Sequence, residues 1–524
     1  MLVARSLRSP TLVGGALAGL LGWLAIVLRW RGADGPAQLY RIDLFRRVGF
    51  TQWDNQWYGG HHTPGYSLLL PPLGAVFGPG PVAVASAVVA TWAMSRLAVR
   101  FVPAPMAATV LFGIGSVTNI AIGRLTFGLG LAIGMIAAVA MVTNRRVLAV
   151  VLAVLTPLGS PVAGVFLALA GAAWWLSSRS VHRTGLWVAV GAVAPIGALA
   201  LAFPEGGRFP FSFEDAAITC AVAAVAAWAI PREHRALRLG AALYAVSVVA
   251  VFAVPNPVGA NLTRLAVYAG PPIAVGLVWQ ARRVAAVAIL VPMLVWQWGP
   301  ALDAIFTAGR DPSSHASYYQ PLLTELASRP PSRVEIPFTM HHWEANFVAP
   351  RAALARGWER QLDIESNPLF YDDDVPLTSS AYVQWLRDNA VSYVALADAD
   401  LDDSAVAEAS LVRGGIADLQ PIWSGDHWQL FAVVGATPLV TGPADLTALD
   451  ANSFTLRVDS PGDVLVRIRY SSHWDVDGPG CAVATADGWT LIRFPAPGTW
   501  RVRQVVSRWI PFQPDRTDEC PPES

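Results

Sequence analysis

A chain of 524 residues that is 54% hydrophobic, only 14% charged and has a mean hydropathy of +0.44 is too apolar for a soluble core of its length, and reads as a polytopic membrane protein. Its 37 basic side chains balance 37 acidic ones, which leaves no electrostatic case for a nucleic-acid partner. Every cation other than histidine is Arg, because the sequence contains no Lys, so Schiff-base and lysine-nucleophile chemistry is excluded.

The N-terminus carries Arg5 and Arg8 ahead of an apolar run with no small-residue cleavage pattern before Arg29, which predicts an uncleaved first span. Further apolar segments lie near 81–99, 105–122, 126–142, 147–157, 161–176, 185–203, 216–230, 239–254, 266–279 and 284–299. Together they predict about 11 transmembrane helices. With a cytoplasmic N-terminus, the inside loops hold Arg96/Arg100, Arg145/Arg146, Arg179/Arg183, Arg232/Arg235/Arg238 and Arg282/Arg283. The later outside connections hold the single arginines Arg124, Arg208 and Arg264, which is the positive-inside pattern of a plasma-membrane protein. The odd number of spans then places the C-terminal part outside the cytoplasm.

The large first external loop, 30–80, breaks that bias with Arg41, Arg46 and Arg47, and concentrates polar and aromatic residues. Asp43 is a candidate general base, or the partner of a neighbouring arginine; Asp54 is the rival carboxylate, or a turn cap. His61 and His62 are candidates for phosphate or metal binding. Trp53, Trp57, Tyr58 and Tyr66 suit either stacking on a sugar ring or the interfacial aromatic belt. Pro71-Pro72-Leu73 opens an apolar segment too short to span, expected as an interfacial or re-entrant helix. Arg264, and less strongly Arg124, offer guanidinium forks for a phosphate, or act as interfacial anchors.

Beyond Arg310 the composition is that of a soluble domain. The segments VEIPF, AYVQWLRDN, VSYVALAD and HWQLFAVV predict an α/β domain over 306–440. Period-two runs broken by Gly/Pro turns predict a β-sandwich over 441–524. Trp343, Glu344 and Trp358 fall in His/Trp/Glu/Arg-rich stretches that suit carbohydrate binding or docking. Cys220 reads as a buried apolar residue, whereas Cys481 and Cys520 are a candidate disulfide.

The first span, the loop with Asp43, Trp53/Trp57 and Gly59-Gly60, the Pro71-Pro72-Leu73 segment, the outer-loop Gly259-Ala260-Asn261 with Arg264, and the tail Tyr470 to Trp474 resemble the GT-C superfamily of polytopic glycosyltransferases. Within it the chain is most similar to the YfhO-like group and to actinobacterial membrane proteins labelled pyruvoyl-tetrahydropterin synthase-related. The resemblance implies a residue 1–305 GT-C-like module and a polyprenyl-phosphate sugar donor. It further implies inverting transfer on the outer face to a cell-envelope glycan or glycolipid acceptor, with Asp43 as base and Arg264 on the donor phosphate. An envelope protein partner fits the soluble part. Metal dependence varies across the superfamily and stays open here. A transporter or flippase for a lipid-linked saccharide fits less well, because the apolar spans are almost free of charge. A non-catalytic envelope scaffold is the remaining alternative.

Overall fold

The computed structural model describes residues 9–372, 374 and 376–505, and is mostly helical with a strand-rich C-terminal region. The chain divides into two compact units, one of residues 9–38 and 64–310, the other of Leu39–Thr63 and 311–505.

The first unit is all helix. Among the described residues, seven helices are long and apolar enough to cross a membrane: Pro10–Val27, Pro79–Phe101, Pro105–Ile122, Leu125–Val142, Arg183–Ala202, Arg235–Ala253 and Arg283–Ala308. Eighteen residues at 1.5 Å each span roughly 27 Å, close to the hydrocarbon thickness. Four further sequence-predicted segments also form helices, but shorter ones: Arg146–Gly159, Pro161–Ser177, Phe213–Ala229 and Thr263–Val278. Prolines open several helices, at Pro10, Pro79, Pro105 and Pro161, where the missing N–H removes no helical bond. Sequential neighbours pack pairwise, Leu125–Val142 on Arg146–Gly159, Pro161–Ser177 on Arg183–Ala202, and Phe213–Ala229 on Arg235–Ala253. The Pro71-Pro72-Leu73 segment is the short helix Leu70–Phe77; ahead of it, Ser67 and Leu68 bond to the Leu158 and Gly159 carbonyls.

The second unit gathers the first loop onto the C-terminal chain, so the division differs from the one expected. Two short strands, β1 (Trp53–Asp54) and β2 (His61–His62), pair antiparallel. A five-stranded sheet follows, built from β3 (Arg333–Glu335), β4 (Ala353–Leu354), β5 (Val391–Ala397), β6 (Leu419–Ser424) and β7 (Trp428–Val433) in the order β4-β3-β5-β7-β6. Its β3 runs parallel to β4 and β5, and the rest pair antiparallel. The expected helix AYVQWLRDN is Ser379–Asp388, capped by the Thr378 hydroxyl.

The sandwich comprises β8 (Val440–Thr441), β9 (Ala444–Asp450), β10 (Ser453–Val458), β11 (Gly462–Arg469), β12 (Trp474–Val476), β13 (Cys481–Ala484), β14 (Trp489–Phe494) and β15 (Gly498–Gln504). One sheet has the order β12-β15-β10-β9 and the other β13-β14-β11-β8. Alternate residues of the strands point inward, so Phe454, Leu456, Val464, Val466, Ile492 and Val502 form its core. Trp53 of the first loop is part of that same core. This placement explains the division of the chain: an indole that is 1% exposed contributes several kcal/mol only while the loop stays with the sandwich.

Candidate functional site

In the first unit the polar groups converge at Asp34, a carboxylate that sequence reasoning passed over. It follows the first span in the segment Gly32-Ala33-Asp34-Gly35. Its Oδ2 accepts from Arg124 Nε at 3.0 Å and lies 3.8 Å from Arg264 Nη2. The two arginines come from chain segments 140 residues apart, since Arg124 precedes helix Leu125–Val142 and Arg264 opens helix Thr263–Val278. All three side chains retain some exposure, between 17% and 30%. The Arg264 guanidinium lies over the Phe127 ring at 5.3 Å, which steadies it. Tyr268, from the same helix, bonds Asn119 Oδ1 at 2.7 Å and the Thr118 hydroxyl at 2.8 Å. Tyr66, expected as a sugar contact, is an electrostatic neighbour of Arg264.

Local backbone chemistry sets this geometry. The Asp34 N–H bonds the Ile122 carbonyl at 3.2 Å, and Gln38 Oε1 accepts from Thr126 N at 2.9 Å. A Cβ on Gly32 would sit 2.3 Å from that same carbonyl oxygen, and one on Gly123 would sit 2.4 Å from Gly35 N. Gly123 also adopts φ +89°, open to glycine at little cost. The glycines therefore let two backbone segments clasp and bring Asp34 beside Arg124. Next to this cluster lies a small cavity of about 10 Å³, with Ala87 and Leu131 among its apolar walls and Ser86, Ser116, Asn119 and Arg124 as polar ones.

The remaining loop candidates lie in the second unit. Asp43 is exposed and accepts from Arg47 Nε at 2.8 Å, one helical turn away. Asp54 is fully buried, and accepts from the Tyr40 hydroxyl at 2.7 Å and from Gln56 N at 3.0 Å. Trp53, Trp57 and Tyr58 are buried as well. Trp57 stacks on Tyr40 at 4.3 Å and on His61 at 5.6 Å, while the Tyr58 hydroxyl donates to the Gly357 carbonyl. His62 meets the Trp53 edge at 4.7 Å. Tyr58, Gly59 and Gly60 all take positive φ, and a Cβ on Gly60 would strike the Trp53 ring at 2.6 Å. These rings work as core packing of the second unit.

Trp343, Glu344 and Trp358 are buried in the α/β domain. Trp358 stacks on His342 at 3.4 Å, and Glu344 accepts from the Thr339 hydroxyl at 2.6 Å. Burial alone would raise the Asp402 carboxyl, but contacts to His342 and Arg360 hold it below the usual carboxylate range. Beside them Arg356 is enclosed by Asp363 at 2.8 Å, Glu408 at 3.3 Å and Glu335 at 4.0 Å. Burial pushes Glu408 up to about 7 against the pull of Arg356, and burial plus the neighbouring Glu408 charge push Glu335 well up too.

Cys481 opens β13, whereas Cys520, its proposed partner, lies outside the described residues; Cys220 is a free thiol. Among the described residues, no group of three or more His, Cys, Asp or Glu is placed to hold a metal ion. No family model matches the chain, and no curated protein matches it.

Proposed function

We propose that the chain is a multispan membrane glycosyltransferase that takes a sugar from a polyprenyl-phosphate donor and passes it to a glycan or glycolipid acceptor on the outer face. The observation that carries this reading is the Asp34 carboxylate shared by Arg124 and Arg264. Two guanidiniums converging on one carboxylate suit the phosphate of such a donor. When the donor phosphate engages them, Asp34 is released as an ionised base. It takes the proton of the acceptor hydroxyl while that oxygen attacks the anomeric carbon. The bond from anomeric carbon to phosphate oxygen breaks, and the polyprenyl phosphate leaves paired with the arginines.

In this reading the eleven apolar helices are the spans, the N-terminus is cytoplasmic, and the second unit lies outside the plasma membrane, where an acceptor or an envelope protein meets it. Asp34 is preferred to Asp43 as base because Asp34 belongs to the same unit as both arginines, while Asp43 is an exposed partner of Arg47.

The test is sugar transfer from a polyprenyl-phosphate donor by the purified chain in vesicles. Asp34→Asn lowers the rate by about 10²–10⁴-fold, the usual worth of a general base, and Asp43→Asn changes it little. The opposite ranking returns the base to Asp43. Neither donor binding nor turnover by the unaltered chain leaves the scaffold reading.

A further inference from the structure

We propose that the turn joining helices Phe213–Ala229 and Arg235–Ala253 is a headgroup site for an anionic membrane phospholipid. This goes beyond the transferase reading and does not depend on it. The two helices pack on each other and enclose an open groove of about 680 Å³ at that end. Its walls are alanine and leucine, with Ala227 and Ala242 facing across it and Trp228 at the side, 81% exposed.

The rim is entirely cationic. Arg232, Arg235 and Arg238 line the groove, and none of its lining residues is acidic. Arg238 is fixed by an Nε–H bond to the Ala227 carbonyl at 2.8 Å, which lays the guanidinium across the cleft. Arg232 and Arg235 are exposed. Helix Arg235–Ala253 begins here with no acidic residue in its first turn and no side chain capping its N–H groups. The positive end of the helix dipole therefore adds to three like charges, the reverse of the usual helix-terminal arrangement. Only Glu233 in the turn opposes them, and it is exposed and does not line the groove.

Cations gathered at an uncapped helix start need an anion, and apolar walls directly beneath need hydrocarbon. A phosphodiester headgroup with its acyl chains supplies both, and free phosphate supplies only the first. The position agrees with the membrane side that the arginine pairs mark as cytoplasmic, where anionic lipids are recognised by basic clusters. An interfacial indole such as Trp228 sits at that same depth.

The experiment is native mass spectrometry of the full chain released from bilayers of equal phosphatidylglycerol and phosphatidylcholine. Phosphatidylglycerol is retained preferentially. Arg232→Gln/Arg235→Gln lowers its retention by about thirty-fold, from about fivefold per arginine near a headgroup, and leaves phosphatidylcholine retention unchanged. Glu233→Gln raises it. Equal retention of both lipids by the unaltered chain, an unchanged double variant, or displacement of the lipid by inorganic phosphate overturns the proposal.

Discussion

Glu408 sits fully buried with one oxygen on the Tyr382 hydroxyl at 2.8 Å and the other 3.3 Å from Arg356, and Asp363 and Glu335 share that one guanidinium. One cation does not neutralise three carboxylates in a buried site, so burial favours the protonated acid. The raised pKa fixes the sign of the pH dependence. The stabilisation from Glu408 is complete below the unfolded value, 4.5, and is lost as pH rises through about 7; Glu335, raised by burial and the Glu408 charge, acts in the same sense. Asp402, held low, acts in the opposite sense, and its contribution is lost only as the solution becomes strongly acidic. Thermal unfolding of the second unit, followed by tryptophan fluorescence, accordingly shows a falling Tm between pH 5 and 8. Glu408→Gln flattens that slope; an unchanged slope removes Glu408 as its source.

At the scale of elements, the clasp between Gly32–Gly35 and Ile122–Gly123 aims Asp34 at Arg124 without touching either charged group. Gly123→Ala forces a Cβ to within 2.4 Å of Gly35 N at φ +89°, at a cost on the order of 1–3 kcal/mol. The expected outcome is a protein that still inserts but has lost most of its transfer rate, with all three charged residues intact. Full activity in that variant would separate the clasp from the site. The β1–β2 hairpin works the same way: Gly60 gives way to the Trp53 ring, which packs into the sandwich core.

For the whole molecule, the chain leaves its helical unit at Leu39, contributes Leu39–Thr63 to the second unit, returns, and enters the second unit again at Asp311. The buried pair of Arg41 with Glu359, the Tyr58 hydrogen bond to Gly357 and the Trp53 core contacts tie the inserted segment down. Residues 311–524 expressed alone therefore lack an indole worth about 3–5 kcal/mol, a large part of ordinary domain stability. They are expected to unfold without cooperativity, and fusion of residues 39–63 is expected to restore a sharp transition. Equal cooperativity in the two forms would show the insertion to be dispensable. Mass spectrometry of the unreduced chain tests the Cys481–Cys520 pairing, which predicts one crosslinked peptide pair; two free thiols refute it.

Local patterning settled much of this architecture. Runs of Ala, Val and Leu broken by Pro and Gly place the seven described helices that are long and apolar enough to cross a membrane, and period-two alternation places the sandwich strands, because each pattern reports which face meets an apolar neighbour. Arg124 and Arg264 were likewise visible as single charges in otherwise apolar surroundings. Other features were decided only in three dimensions. Asp34 looks like a short polar residue between two glycines until the chain folds and two arginines 140 residues apart reach it. The loop tryptophans look like open platforms until the sandwich, nearly 400 residues later in the chain, encloses Trp53. Periodicity records whether a side chain is buried, but long-range packing chooses its partner, and here that choice separates a site residue from a core residue.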